Sequence, residues 1–226
     1  MATKTMLASD KDLQQDVLDE LDWDPEVAVT DVGVEVDDGV VTLTGTVDSY
    51  AKKAAAERAA LRVGGVRAVA NDIQVKLPGT WSRTDTDIAK AVADALEWNS
   101  SVPVEAIDVK VENGRVTLRG EVDWNFERQA AENAARRVTG VKSVVNMITI
   151  KSRQVSPEQI RTSIERALVR SAQVDADHIR VRVDGGHVTL SGTVHAAVEK
   201  REAENAAWRA PGVTSVTNEI QVKVPL

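Results

Sequence analysis

Apolar residues recur along this chain in two periods that alternate in a fixed order. Leu13, Val17 and Leu21 stand at i, i+4 and i+8, one face of a helix. Ile88, Val92 and Leu96 repeat that spacing, and Ile160, Ile164 and Leu168 repeat it again. A period-two run follows each helical stretch. Residues 32–47 read VGVEVDDGVVTLTGTV, residues 107–122 IDVKVENGRVTLRGEV and residues 179–194 IRVRVDGGHVTLSGTV. At the centre of each run sits Asp38-Gly39, Asn113-Gly114 or Gly185-Gly186. Such dipeptides predict a two-residue hairpin turn, because type I′ geometry needs positive φ at both positions. That loop length sets the register. Val36 faces Val41, Val34 faces Leu43, and Val32 faces Gly45, with Thr42, Thr44 and Thr46 on the opposite side of the sheet. A glycine opposite Val32 is expected to let a helix lie close on the sheet.

An alanine-rich helix comes next: Ala55, Ala56, Ala59, Ala60 and Val63, then Ala130, Ala131, Ala134, Ala135 and Val138, then Ala203, Ala206, Ala207 and Ala210. Gly65, Gly140 and Gly212 are expected to end it. A last alternating strand is predicted at 71–75, 146–150 and 218–222. Ser156, Pro157 and Gln159 mark the start of the third unit's first helix.

The copies are offset by 75 and then 72 residues. A repeat of about 70 residues is too long for a solenoid unit, so each copy is read as a small domain. The predicted fold is α+β: three tandem αββαβ domains, each with two helices on one face of a three-stranded mixed sheet. A right-handed crossover makes the third strand parallel to the second. The other sheet face is expected to be polar and Thr-rich. The boundaries are 1–78, 79–151 and 152–226. The short connectors, 78–82 and 152–155, predict limited flexibility and contacts between units.

The pattern resembles the BON domain, a small bacterial αββαβ module. The residues that match are V-T-L-x-G-x-V at 41–47, 116–122 and 188–194, and G-V-x-x-V-x-N at 65–71, 140–146 and 212–218. The resemblance implies phospholipid binding, envelope integrity and osmotic stress, with oligomers in some members and potassium binding in one. It implies no enzymatic activity. Envelope members usually carry a secretory leader, and outer-membrane members often a lipid-anchored Cys. Residues 1–10 read MATKTMLASD, without the apolar stretch of about 7–15 residues that a leader needs. The expectation is therefore a cytoplasmic protein, with the periplasm as the alternative if a leader was removed.

Composition narrows the chemistry. The chain has no Cys, so disulfides and thiol chemistry are excluded. A net charge of −7 argues against general nucleic-acid binding. No apolar run approaches the roughly 18–20 residues of a membrane span. Charge is uneven: residues 10–77 carry 15 acids against 7 bases, residues 84–151 carry 11 against 9, and residues 156–224 carry 9 of each. There is no G-x-S-x-G, P-loop, dinucleotide fingerprint or H-E-x-x-H, and the Gly-rich turns belong to hairpins. No catalytic residue, cofactor or metal is assigned.

With aromatics at only 3%, each is informative. Trp23 and Trp98 are equivalent positions just after the first helix, read as core or inter-unit packing. Trp81 is read as pinning two units. Trp124 and Phe126 replace Ser49 and Ala51 of the first unit, and Ala196 and Val198 of the third. The fold therefore does not require aromatics there, and with Arg128 they suit a membrane interface. Trp208, beside Lys200, Arg201 and Arg209, is a second candidate. Arg136 and Arg137 join the basic groups available to phosphate. All three histidines lie in the third unit. The register places His178 opposite Thr193 with His195 diagonal to it, a pair read as solvated surface. Gly39, Gly45, Gly114, Gly120, Gly186 and Gly192 are structural hairpin glycines.

The expected function is a non-enzymatic binding protein that meets a phospholipid surface peripherally. The alternatives are a self-associating scaffold or stress protein, a possible homo-oligomer, and a module sensing potassium or another small ion. The partners are a membrane surface or a protein, with no nucleic acid.

Overall fold

The computed structural model describes residues 9–27, 32–79, 83–171 and 176–223. Trp81 lies outside the described residues.

The first repeat contains α1 (Asp10–Trp23), β1 (Val32–Asp37), β2 (Val40–Val47), α2 (Tyr50–Ala60), β3 (Ala68–Asn71) and β4 (Gln74–Val75). The second contains α3 (Asp85–Glu97), β5 (Ile107–Glu112), β6 (Arg115–Val122), α4 (Asn125–Arg136) and β7 (Ser143–Ile150). The third contains α5 (Pro157–Arg170), β8 (Ile179–Asp184), β9 (His187–Val194), α6 (Ala197–Trp208) and β10 (Ser215–Val222). The chain divides into two compact units, Met1–Gly45 with Ala55–Asp72 and Ser152–Leu226, and Thr46–Ala54 with Ile73–Lys151. The division passes through the first repeat, whereas strand pairing stays inside each repeat.

Each first helix starts on the same device. Ser9, Thr84 and Ser156 accept the amide of the third helical residue, whose side chain (Asp12, Asp87 or Gln159) accepts in return from the cap amide. The i, i+4, i+8 stripe then faces inward: Leu13, Val17 and Leu21, Ile88, Val92 and Leu96, and Ile160, Ile164 and Leu168 are all buried.

The hairpin registers are those the turns predict. Val36 pairs with Val41, Val34 with Leu43 and Val32 with Gly45, and the equivalent pairs recur in β5–β6 and β8–β9. Asp38 and Asn113 have positive φ, as do Gly39 and Gly114; in the third turn Gly185 has positive φ and Gly186 does not, so the expectation of positive φ at both positions fails there. The second hairpin strand is central, with the last strand parallel to it. That last strand begins three residues earlier than its alternation suggests, at Ala68, Ser143 and Ser215. In the first repeat it is interrupted between β3 and β4, and the register is the same on both sides of the interruption.

Two glycine readings change. Gly120 and Gly192, the counterparts of Gly45, each have a backbone carbonyl rather than a packed helix beside them. A Cβ on either would lie 1.9 Å from a backbone carbonyl oxygen, that of Ala106 or His178, in the 3-10 turn that feeds the first strand. Their φ values of 143° and 131° also require glycine. Gly140 and Gly212 do not close the second helix either, which ends four residues earlier. They let the following turn seat on the first helix and its lead-in: a Cβ on Gly140 would meet Ile88 at 2.9 Å, and one on Gly212 would meet Ile160 at 3.1 Å and Val155, just before the helix, at 2.8 Å.

The alanines let the second helix sit against the sheet. Ala55, Ala56, Ala59 and Ala60 are buried, as are Ala131 and Ala135, and Ala203, Ala206 and Ala207. An asparagine fastens this helix to the last strand. Asn146 donates to the Arg128 carbonyl and to Glu132 and accepts from the Ile148 amide, and Asn218 repeats the arrangement with Lys200, Glu204 and Ile220. The outward face is mainly polar, with Val40, Val145 and Met147 as exposed apolar exceptions. Of the connectors, Val155 packs against the core of the third repeat.

Candidate interaction surfaces

The carboxylate of Glu127 accepts the amides of Asp123 and Trp124 at 2.9 Å each, which fixes the start of α4. Trp124 is the cap residue there and is half-buried, while Phe126, two residues on, is 56% exposed. The candidate basic groups do not all join it. Arg136 pairs with Glu132 on its own helix. Arg137, at the other end of α4, is exposed. Eleven residues at about 100° per residue bring Arg137 back to the face of Phe126, roughly 16 Å further along the axis. Arg128 is half-buried. The cluster expected from the sequence is thus an elongated strip with Phe126 at one end and Arg137 at the other. The outward-facing Val145 and Met147 belong to the sheet side of this repeat, away from the helix layer.

The second candidate set disperses in the same way. Lys200 and Arg201 lie early in α6, and Trp208 ends it. Trp208 packs against the core of the third repeat. Arg209 is engaged by Glu202 at 3.2 Å. Trp208 is therefore chiefly a core residue with one edge in water.

The largest correction concerns Trp23 and Trp98. Neither is core: they are 83% and 87% exposed. The reason is angular. Each stands two residues beyond the last stripe residue, Leu21 or Leu96, and two residues turn a helix by about 200°. Their ring surfaces face solvent among acids. Asp16, Asp19 and Glu20 share a shallow recess with Trp23. Each leaves most of a large apolar ring in water. The sequence did carry a signal for this, since the third repeat has Arg170 at the equivalent position.

That third-repeat position borders a more enclosed groove between α5 and α6. Its cavity is about 450 Å³, lined by small residues (Ser163, Ala167, Ala206, Ala210), by Arg170, and by Arg209 with its partner Glu202.

Ion pairs shape the acidic end of the first repeat. Arg62 holds Glu20 at 2.7 Å and Asp24 at 2.6 Å. The hydrogen bond from Arg62 sets the Asp24 carboxyl below its ordinary value and raises that of Arg62. Asp12 and Asp87 are also held low, by the hydroxyls of Ser9 and Thr84.

His178 is not in the strand ladder, which starts at Ile179, but ends the 3-10 turn before it. His187 instead contacts Ser215 at 2.6 Å. Among the described residues no group of three or more His, Asp or Glu is placed to hold a metal ion. No described helix is long and apolar enough to cross a membrane.

The BON domain matches at residues 9–76, 84–152 and 156–224. Osmotically-inducible protein Y of Escherichia coli is 34% identical over 131 residues, covering 54% of this chain and 63% of that protein. The outer membrane lipoprotein DolP of Haemophilus influenzae is 26% identical over 144 residues, covering 61% of this chain and 72% of that one. The match thus spans less than two thirds of the length of the first of these relatives. Among solved structures, CdsD, a structural protein of the type III secretion system of Chlamydia trachomatis, is 15% identical. It covers 95% of this chain and 93% of its own, with a TM-score of 0.28.

Proposed function

The chain belongs to the BON-domain family, and on that basis we propose that it is a non-catalytic binding protein of the osmotic or envelope stress response that meets phospholipid surfaces peripherally. Its relatives include a protein named for osmotic induction and an outer-membrane lipoprotein. The observation that carries the reading is Phe126. It is an exposed aromatic at the start of α4, on the same face as the exposed Arg137, where the other two repeats have Ala51 and Val198. An aromatic enters the headgroup region shallowly while a guanidinium pairs with lipid phosphate, and the two act additively. The acidic first repeat opposes anionic lipid, so contact falls to the second and third repeats.

Co-sedimentation with anionic and zwitterionic liposomes at low and physiological salt tests this. The expected result is salt-sensitive binding to anionic vesicles, reduced in Phe126→Ala and in Arg137→Glu. Absence of binding to every vesicle would overturn the reading. Fractionation of cells expressing the protein tests its compartment.

A further inference from the structure

The same place on the fold is built in opposite ways in the first and third repeats. At the end of α1, Trp23 projects 83% exposed beside Asp16, Asp19 and Asp22, all exposed. A shift of 147 residues carries Asp16 to Ser163, Asp19 to Arg166, Glu20 to Ala167, Asp22 to Val169 and Trp23 to Arg170. Every acid in that set becomes neutral or basic, and the large ring becomes a cation.

The two places differ in enclosure as well as in charge. In the first repeat the recess, about 510 Å³, lies wide open to solvent beside Trp23, Asp16, Asp19 and Glu20. In the third repeat the equivalent place is a groove of about 450 Å³ with a floor of Ala167, Ala206 and Ala210. Arg166 and Arg170 are exposed and, among the described residues, have no ion-pair partner. Val169, 75% exposed, adds an apolar lip. The volume lies in the range of about 300–1,000 Å³ of pockets that take small molecules, so an indole fits within it.

We infer that this surface is a head-to-tail contact between copies of the chain: Trp23 of one copy enters the α5–α6 groove of the next, with Asp16, Asp19 and Asp22 facing Arg166 and Arg170. The groove supplies apolar floor for the indole, and Arg170 at its rim stacks on the ring face. The acids and guanidiniums set orientation and encounter rate. The two surfaces differ, so the contact is heterologous and propagates from copy to copy unless a ring closes. It deepens the self-association alternative and does not depend on lipid binding.

The test is analytical ultracentrifugation of the full chain over a wide concentration range at low and high salt. Three proteins are compared: wild type, Trp23→Ala and Arg170→Glu. Wild type is expected to gain mass with concentration, less so at high salt. A buried aromatic at the centre of a contact carries about 30-fold or more in Kd, so each variant alone is expected to remain monomeric where wild type associates. Trp23→Ala keeps its groove and Arg170→Glu keeps its tryptophan. Mixing the two is therefore expected to give dimers and nothing larger. Both substitutions are at exposed positions, and unchanged far-ultraviolet circular dichroism and melting temperature check that the fold is kept. A monomeric wild type at all concentrations, association of Trp23→Ala equal to wild type, or a mixture that stays monomeric would each overturn the inference. Loss of association in Trp98→Ala but not in Trp23→Ala would overturn it too.

Discussion

Asp85 accepts the backbone amide of Gly114 at 2.9 Å, tying the first residue of α3 to the tip of the β5–β6 turn 29 residues away. The Asn113 amide joins the same carboxylate at 2.7 Å. Asp10 does the same for Asp38 and Gly39 at 3.1 and 3.2 Å. A type I′ turn leaves two adjacent amides pointing outward, and one carboxylate at a helix N-terminus satisfies both while complementing the helix dipole. The third repeat has Pro157 in this position.

Replacing Asp85 by Ala should destabilise the second repeat by about 1–2 kcal/mol, since hydrogen bonds to a charged group are involved and the site is only part-buried. Urea unfolding followed by circular dichroism measures it. An unchanged midpoint would show that water serves the turn equally well.

Gly120→Ala and Gly192→Ala should each cost about 3 kcal/mol or more, because the new methyl collides with a backbone carbonyl and φ is in the left-handed region. Gly64→Ala is the contrast. Nothing lies within 4 Å of its added Cβ, so its stability should stay close to that of wild type. Thermal melts of the three variants rank them.

Asn146→Ala removes three hydrogen bonds at once and should cost about 2 kcal/mol. The Ile148 amide, which loses its acceptor, should exchange faster with deuterium. Equal exchange at Ile148 would count against this bridge.

Acid should erase the contribution of Arg62. The Asp24 carboxyl titrates below its unfolded value of 3.8 because Arg62 donates to it. Its stabilisation is therefore complete above about pH 4–5 and is lost as pH falls through the depressed folded value. Arg62→Gln should melt lower than wild type at pH 7, and the gap should shrink toward pH 3. A gap independent of pH would mean that Arg62 acts through packing alone.

Trp23 and Trp98 should dominate accessible fluorescence in dilute solution. Trp23→Phe and Trp98→Phe should each lower acrylamide quenching and shift the remaining emission to the blue. Trp208→Phe should change quenching far less, because Trp208 packs on the third core.

Local order in this protein is written in the chain alone. Helix stripes, two-residue turns and strand alternation are short-range patterns, so Val34 opposite Leu43 and Leu13 with Val17 inside were legible from spacing. The threefold repeat made each of these readings three times over. Whatever depends on angle and distance between elements had to wait for the packed fold. Packing seated Trp208 on a core and gave Gly120 a carbonyl rather than a helix as its neighbour, whereas the outward turn of Trp23 and Trp98 was already in the helical period. Packing also drew the candidate strip on α4 out along one helix and enclosed the groove of the third repeat more than the recess beside Trp23 in the first. Periodicity fixes which face a residue occupies within its element. What stands opposite that face is set by how helices pack on a sheet, and no spacing along the chain records it.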